Sequence, residues 1–257
     1  MIKSSRVSAF IYNQSSGQWQ STERSLIAEV PLQIWINGEH LATLHRTPGN
    51  EFFLATGFLY YQGLINQHAD ISAQRLVSAS TDNKSPLATD SVRLTINKPI
   101  SAVSPLTAAA IWTIIAPQIE KSPPRPFFLA APLIPALPEA MRQHQQLYTK
   151  TAGAHAVALI NQDGKILHCE EDVGRTNALD KIVGYCVCNK IEMKSLAALF
   201  SGRINLEIAV KIVRAGFPLA LSISAPTASA VKIMKQAGIT YVGSLQKPDF
   251  TLFCGTL

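Results

Sequence analysis

The first 168 residues of this 257-residue chain contain no cysteine. The four that follow, Cys169, Cys186, Cys188 and Cys254, include no C-x-x-C pair, and no histidine spacing beside them completes a zinc site. Neither a disulfide framework nor a metal centre is therefore expected. No apolar run approaches the roughly 18 residues that a membrane span requires. The opening stretch MIKSSRVSAFIYNQSSGQWQ has no continuous apolar segment of the kind a signal peptide carries. The expected location is cytoplasmic, with no membrane partner. Charge is scarce at 16%, and no dense Lys/Arg run interleaved with aromatics marks a nucleic-acid surface, so no nucleic-acid partner is expected.

What is present is apolar: 47% of residues are hydrophobic, enough for a sizeable buried core. The net charge of +6 suits an anionic ligand, and equally an ordinary solvated surface. The pattern along the chain divides it into four parts. Residues 1–25 are polar and Ser/Gln-rich and read as a flexible arm. Residues 26–120 read as a smaller α/β part. There, EVPLQIWINGEHLATLHRTP alternates around Asn37-Gly38, a strong hairpin signal. NEFFLATGFLYYQGLI follows with helical spacing and Asn50 as its expected cap, and then come the strand SVRLTIN and the helix SPLTAAAIWTIIAPQI. Residues 121–150 comprise a proline-rich linker, KSPPRPFFLAAPLIPALP, and one helix, EAMRQHQQLYTK. From about residue 151 to 257 strands and helices alternate with short joints, which argues a mostly parallel sheet covered on both faces.

Three polar clusters fall where strands run into helices: EEDVGR at 170–175, SGR at 201–203 and SAPT at 224–227. Carboxyl ends of strands are where open α/β sheets bind ligands, and free N–H groups at helix starts favour anions. Taken singly, each cluster is also what a cap or tight turn requires. Arg175 and Arg203 add the cations an anionic ligand would need. His155, at the head of a strand, is compatible with a hydrogen-bonded structural role or a role in a site.

In this order, HRTPGNEFFLATGFLYYQGLI, TKTAGAHAVALI, CEEDVGRTNALDKIVG, SGRINLEIAVK and SAPTASAV resemble the formate dehydrogenase accessory protein family, FdhD/NarQ, from about Val30 onward. The resemblance implies an α/β fold, α+β overall. Its C-terminal domain would be cytidine-deaminase-like with three α/β/α layers, beside a smaller β-rich N-terminal part. It does not imply deamination, since the zinc pattern H-x-E…P-C-x-x-C is absent. It implies an accessory protein that takes sulfur from a cysteine desulfurase and passes it to the bis-guanine-dinucleotide molybdenum cofactor of a formate dehydrogenase client, with a homodimer as the implied assembly. The cofactor would be bound as cargo. By the resemblance the ligand-facing set is Arg46, His155, Glu171, Asp172, Arg175, Asn177, Ser201, Gly202, Arg203, Ser224 and Thr227, with the C-terminal stretch Ser244, Leu245, Gln246, Lys247, Pro248 and Asp249.

The chain departs from the family pattern in one respect that bears on chemistry. Family members carry a C-x-x-C on the loop between the two parts, where a thiolate attacks a donor persulfide. Here that loop has no cysteine, and no catalytic residue is assignable. Ala152 stands in T-A-G where the family has T-G-G, Thr176 replaces a histidine, and Gln246 an arginine. Cys169 precedes three acids, which disfavour its thiolate. Two readings stay open: a sulfurtransferase using a residual cysteine or acting with a partner, or a cofactor-binding chaperone of the same fold without sulfur transfer.

Overall fold

The computed structural model describes residues 3–78, 89–97, 105–121, 127–246 and 248–257. The flexible arm expected over residues 1–25 is instead, over residues 4–27, a β hairpin. β1 (Ser4–Asn13) and β2 (Gln18–Ile27) pair antiparallel, from Ser4 opposite Ile27 to Asn13 opposite Gln18. The side-chain oxygen of Asn13 accepts from the N–H groups of Ser15 and Ser16, and Gly17 takes φ 67°, which sets the turn. Tyr12 and Trp19 meet across the strands, 5.2 Å between ring centroids.

Among the described residues, the N-terminal part is built on a four-stranded sheet packed against a helix. Its strands are β3 (Val30–Ile36), β4 (Glu39–Arg46), β5 (Ile71–Val77) and β6 (Asp90–Ile96), in the order β4-β3-β6-β5. Asn37 and Gly38 both have positive φ, 50° and 91°, the primed turn that matches strand twist. Leu32, Ile34 and Ile36 alternate onto the face that buries Leu54, Ala55 and Leu59 of α1 (Glu51–Tyr61). Asn50 precedes this helix but does not cap it. Its backbone is left-handed, and its amide donates to Glu170 at 2.9 Å.

The C-terminal part is a six-stranded sheet in the order β12-β11-β10-β9-β7-β8. Its elements are β7 (His155–Ile160), β8 (Ile166–Asp172), α5 (Arg175–Cys188), β9 (Ala197–Phe200), α6 (Leu206–Ala215), β10 (Leu219–Ser222), α7 (Ala228–Gln236), β11 (Thr240–Gln246) and β12 (Asp249–Cys254). Only β9, β10 and β11 run parallel; β7 is antiparallel to both β8 and β9, and β12 to β11. The sheet is mixed rather than mostly parallel because tight turns join β7 to β8 and β11 to β12, and a short turn can only return the chain antiparallel.

Alternate residues of each strand go to opposite faces. Val157, Leu159, Ala198, Phe200, Ala220 and Tyr241 pack under the helices α5, α6 and α7. Ala156, Ala158, Ile160, Leu199, Leu221 and Val242 pack under Phe127, Leu129, Ile134, Leu137 and Met141. The proline-rich stretch is therefore, from residue 127 on, the second outer layer and not a linker. It holds a 3-10 helix (Ala131–Ala136) and α3 (Leu137–Arg142), with Pro132 and Pro138 at the first turns, where no N–H is required, and Pro135 inside the 3-10 helix. Residues 122–126 of that stretch lie outside the described residues. The single helix expected beyond it is broken at residues 143–145 into α3 and α4 (Gln146–Thr151). The remaining helix, α2 (Ala108–Lys121), places Ile111 and Ile115 in the core over α6.

The two parts meet along α1 and α5. A Cβ on Gly57 would collide with the Asp180 carbonyl, and one on Gly184 with the Phe53 carbonyl, so two glycines let the helix backbones touch. Beside this crossing, Lys211 of α6 donates to both Asp180 oxygens at 2.6 and 2.7 Å, with its Nζ 4.1 Å from the Tyr61 ring centroid.

Candidate functional site

The carboxyl ends of β9 and β10, the amino end of β7 and the start of α5 surround a cleft of about 520 Å³. His155, Arg175, Ser201, Gly202, Arg203 and Ser224 line it. The loop after β9 is clamped to β7: Ser201 N–H donates to the Ala156 carbonyl at 3.0 Å, and Ser201 Oγ accepts from Ala156 N–H at 2.9 Å. A Cβ on Gly202 would stand 2.9 Å from His155 Nδ1, so a side chain there would push the imidazole aside. Ser224 is held by its carbonyl, which accepts from Ser222 Oγ at 2.7 Å.

Arg142, Gln145 and Tyr148 form another wall, with residues 152–154 and Ile223 completing the lining. This wall is hidden in the sequence, because the helical pattern over 139–150 runs on through the break that brings Arg142 and Gln145 to the cleft. The lining holds three arginines and a histidine and no carboxylate, so its field favours an anion. Arg142 lies with its guanidinium carbon 4.1 Å from the Tyr148 ring centroid. Burial, and then the charge of Arg175, hold the His155 imidazole below its ordinary pKa of 6.5. Gln145 is 1% exposed, and its Oε1 has no hydrogen-bond partner among the described residues. Leaving a buried acceptor unpaired costs about 1–3 kcal/mol.

The other expected residues sit outside the cleft lining. The acids of the 170–172 ribbon are taken up by the framework. Glu170 accepts from Asn50 and lies 2.8 Å from His168 Nε2. Glu171 accepts from Leu147 and Tyr148 N–H at 2.8 and 2.7 Å, capping α4. Asp172, fully buried, pairs with Lys181 at 2.7 Å and accepts from Thr47 and Gly174 N–H. Asn177 donates to Asp172 and to the His45 carbonyl. Arg46 is fully buried against Asp90 at 2.6 Å and Glu51 at 3.2 Å. Thr227 caps α7 by accepting from Ala230 N–H.

The C-terminal stretch lies along the β11–β12 hairpin. Ser244 approaches the site through its backbone, its N–H donating to the Ser224 carbonyl at 3.4 Å. Leu245 is buried in the apolar layer under residues 127–141, Gln246 pairs with Asp249 across the hairpin, and Pro248 and Asp249 are exposed. Lys247 lies outside the described residues.

None of the thiols is poised as a nucleophile. Burial, then the charges of Glu171 and Glu170, push Cys169 up to about 12, and burial alone pushes Cys186 up to about 12. Cys188 and Cys254 are raised by burial as well. Ala152 closes α4 in the left-handed region at φ 53°, where a glycine would be unstrained.

A sequence model of the FdhD/NarQ family matches residues 27–256. The chain belongs to that family. Among curated FdhD relatives, the "Sulfur carrier protein FdhD" of Streptomyces avermitilis is 32% identical over 250 residues, covering 90% of this chain and 87% of its own. That of Sulfolobus acidocaldarius is 33% identical over 238 residues, covering 92% of each. The crystal structure of a candidate formate dehydrogenase accessory protein from Desulfotalea psychrophila superposes with a TM-score of 0.77 at 20% identity, covering 98% of this chain and 97% of that one. It has the same α+β fold. No helix among the described residues is long and apolar enough to cross a membrane.

Proposed function

We propose that this protein holds the bis-guanine-dinucleotide molybdenum cofactor as cargo for a formate dehydrogenase client, and that its own thiols carry no persulfide. The observation that carries the reading is the cleft at the strand ends, lined by Arg142, Arg175, Arg203 and His155 with no carboxylate among them. A dinucleotide cofactor is a polyanion with heterocyclic ends, and guanidinium forks match its phosphates bidentately. Family membership supplies the client. The relatives' name favours a second reading, sulfur carriage, which would require one of four thiols held in the protonated form.

The test is calorimetry with GDP as probe. The native protein should bind it. Arg203 is exposed, so Arg203→Ala leaves no buried group unpaired and should keep the melting temperature. Its loss should weaken binding by about 1.5–3 kcal/mol, roughly ten- to a hundredfold, the range of a charge-assisted hydrogen bond. Unchanged affinity in the variant, or no binding by the native protein, contradicts the reading.

A further inference from the structure

We propose that a groove between the N-terminal and C-terminal parts, at the other end of α5 from the strand-end cleft, is a second ligand site, for a small carboxylate with an apolar body. Arg175 opens α5 in the cleft, while Cys186 and Val187 near its close line the groove. The helix has 14 residues, so at about 1.5 Å per residue the two lie roughly 20 Å apart. The groove encloses about 550 Å³. One wall is Tyr60 with the segment Asn66 to Ala69, and the other runs from the end of α5 to the 3-10 turn Met193–Ser195. Junctions between two parts of a chain are preferred ligand sites, because two surfaces there cover one molecule.

The floor is apolar and held in place. Cys186, Val187, Met193 and Ala215 are buried, and Tyr60 is half-buried. Arg214 fixes both walls: its Nε donates to the Tyr60 carbonyl at 3.4 Å, and its guanidinium donates to the Asn66 side-chain oxygen at 3.2 Å. A preformed apolar floor takes up an apolar body without first being reordered.

The rim supplies charge. Lys190 and Lys194 are exposed, and no ion pair among the described residues takes either ammonium. His68 adds an imidazole, against Glu192 as the one carboxylate in the lining. The backbone of Lys190 singles this rim out. The residue lies just beyond α5 in the left-handed region, φ 55°, where helices ordinarily end on glycine. Its N–H reaches the Val187 carbonyl at 3.4 Å and that of Ile191 the Cys186 carbonyl at 2.9 Å, so the helix is closed with lysine in the place of glycine. A cation gains a little beside a helix C-terminus, but left-handed strain costs a non-glycine residue as much or more. Helix stability therefore gives no reason for lysine at this position, and an ammonium at the mouth of an apolar groove gives one. The two ammoniums suit one carboxylate, and the floor of Tyr60 and Met193 suits an aryl or alkyl body. A polyphosphate, which has no apolar surface, does not match this floor.

The test titrates phenylbutyrate and phenylbutylamine, one body with opposite charges, calorimetrically into the native protein with and without GDP. The same titrations are made on Lys190→Gly, which removes the ammonium and places glycine where the backbone is left-handed, and on Lys194→Met, which keeps the stem. Both altered side chains are exposed, so both variants should fold, and thermal unfolding checks this. The acid should bind the native protein more tightly than the amine, and GDP should not displace it. Each variant should bind the acid roughly three- to tenfold more weakly, the loss of one partly screened charge contact. Equal affinity for acid and amine overturns the proposal, as does no binding of the acid. Unchanged affinity in both variants overturns it, placing the probe elsewhere. Displacement by GDP also overturns it, moving the probe to the strand-end cleft. The titration of GDP alone reports on the cofactor reading separately, so either can fail while the other stands.

Discussion

Glu170, Glu171 and Asp172 are consecutive, yet their carboxylates end in three different places. Glu170 meets Asn50, Glu171 the start of α4, and Asp172 the Lys181 ammonium and the Thr47 N–H. What the ribbon does is tie the N-terminal part and α4 to β8, which leaves Arg175 at the head of α5 free to face the cleft. His155 is the titratable group there. Its folded-state pKa is lowered, so the folded protein binds fewer protons than the unfolded chain. The ligand-free protein should accordingly lose stability as pH falls through 6.5 toward that lower value. A bound polyanion has the opposite effect: it favours the imidazolium and takes up a proton. GDP should bind more tightly at about pH 5.5 than at about pH 8, and part of that slope should vanish in His155→Gln. Identical profiles for the two proteins would contradict the assignment. Ala152 gives a separate expectation. Replacing it with glycine relieves left-handed strain of about 1–2 kcal/mol and gives back part of it as chain entropy, so thermal unfolding should show a gain of about 0.5–1 kcal/mol.

At the scale of elements, the contact of α1 with α5 depends on two residues without side chains. Gly57→Ala and Gly184→Ala should each destabilise by about 1–3 kcal/mol in denaturant unfolding, the cost of forcing an extra carbon between packed backbones. An effect below about 0.5 kcal/mol would contradict the close crossing. Elements with one buried face were legible in the sequence. The apolar stripe of α5 and the alternation of β3 announce themselves, and so does the hairpin turn at Asn37-Gly38. β1 and β2 were not legible, because most of their residues are exposed on both faces and no amphipathic signal survives. Nor was the role of the proline-rich stretch. Prolines announce irregular backbone, but the apolar residues between them, Leu129, Ile134 and Leu137, are what cover the sheet. Of the cleft, the three strand-end clusters placed Arg175, Ser201, Gly202, Arg203 and Ser224 beside one another. The wall of Arg142, Gln145 and Tyr148 stayed hidden because a break inside a helical pattern leaves no mark in composition. The acids lie outside the cleft lining, and their partners could not be read from the sequence because they lie far away in the chain, as Leu147 does from Glu171.

At the scale of the whole molecule, the cleft lies at the strand ends of the six-stranded sheet, and the N-terminal hairpin reaches its rim. Ile27 of β2 packs so close to Gly153 that a Cβ there would stand 2.9 Å from Ile27 Cγ2. The thiols are distributed differently: Cys186 and Cys254 are buried, while Cys169 and Cys188 are partly covered. None of the four lines the cleft. Incubation with a cysteine desulfurase and free cysteine should therefore leave the intact mass unchanged. A gain of one sulfur, reversed by reductant and lost in a single Cys→Ser variant, would restore the sulfur-carrier reading. The most direct measurement is the amount of guanine-dinucleotide cofactor that copurifies from cells that make it. It should be compared between the native protein and an Arg175→Ala/Arg203→Ala double variant of unchanged fold. The account predicts cofactor on the native protein and little or none on the variant. Equal amounts on both, or none on the native protein, would contradict it.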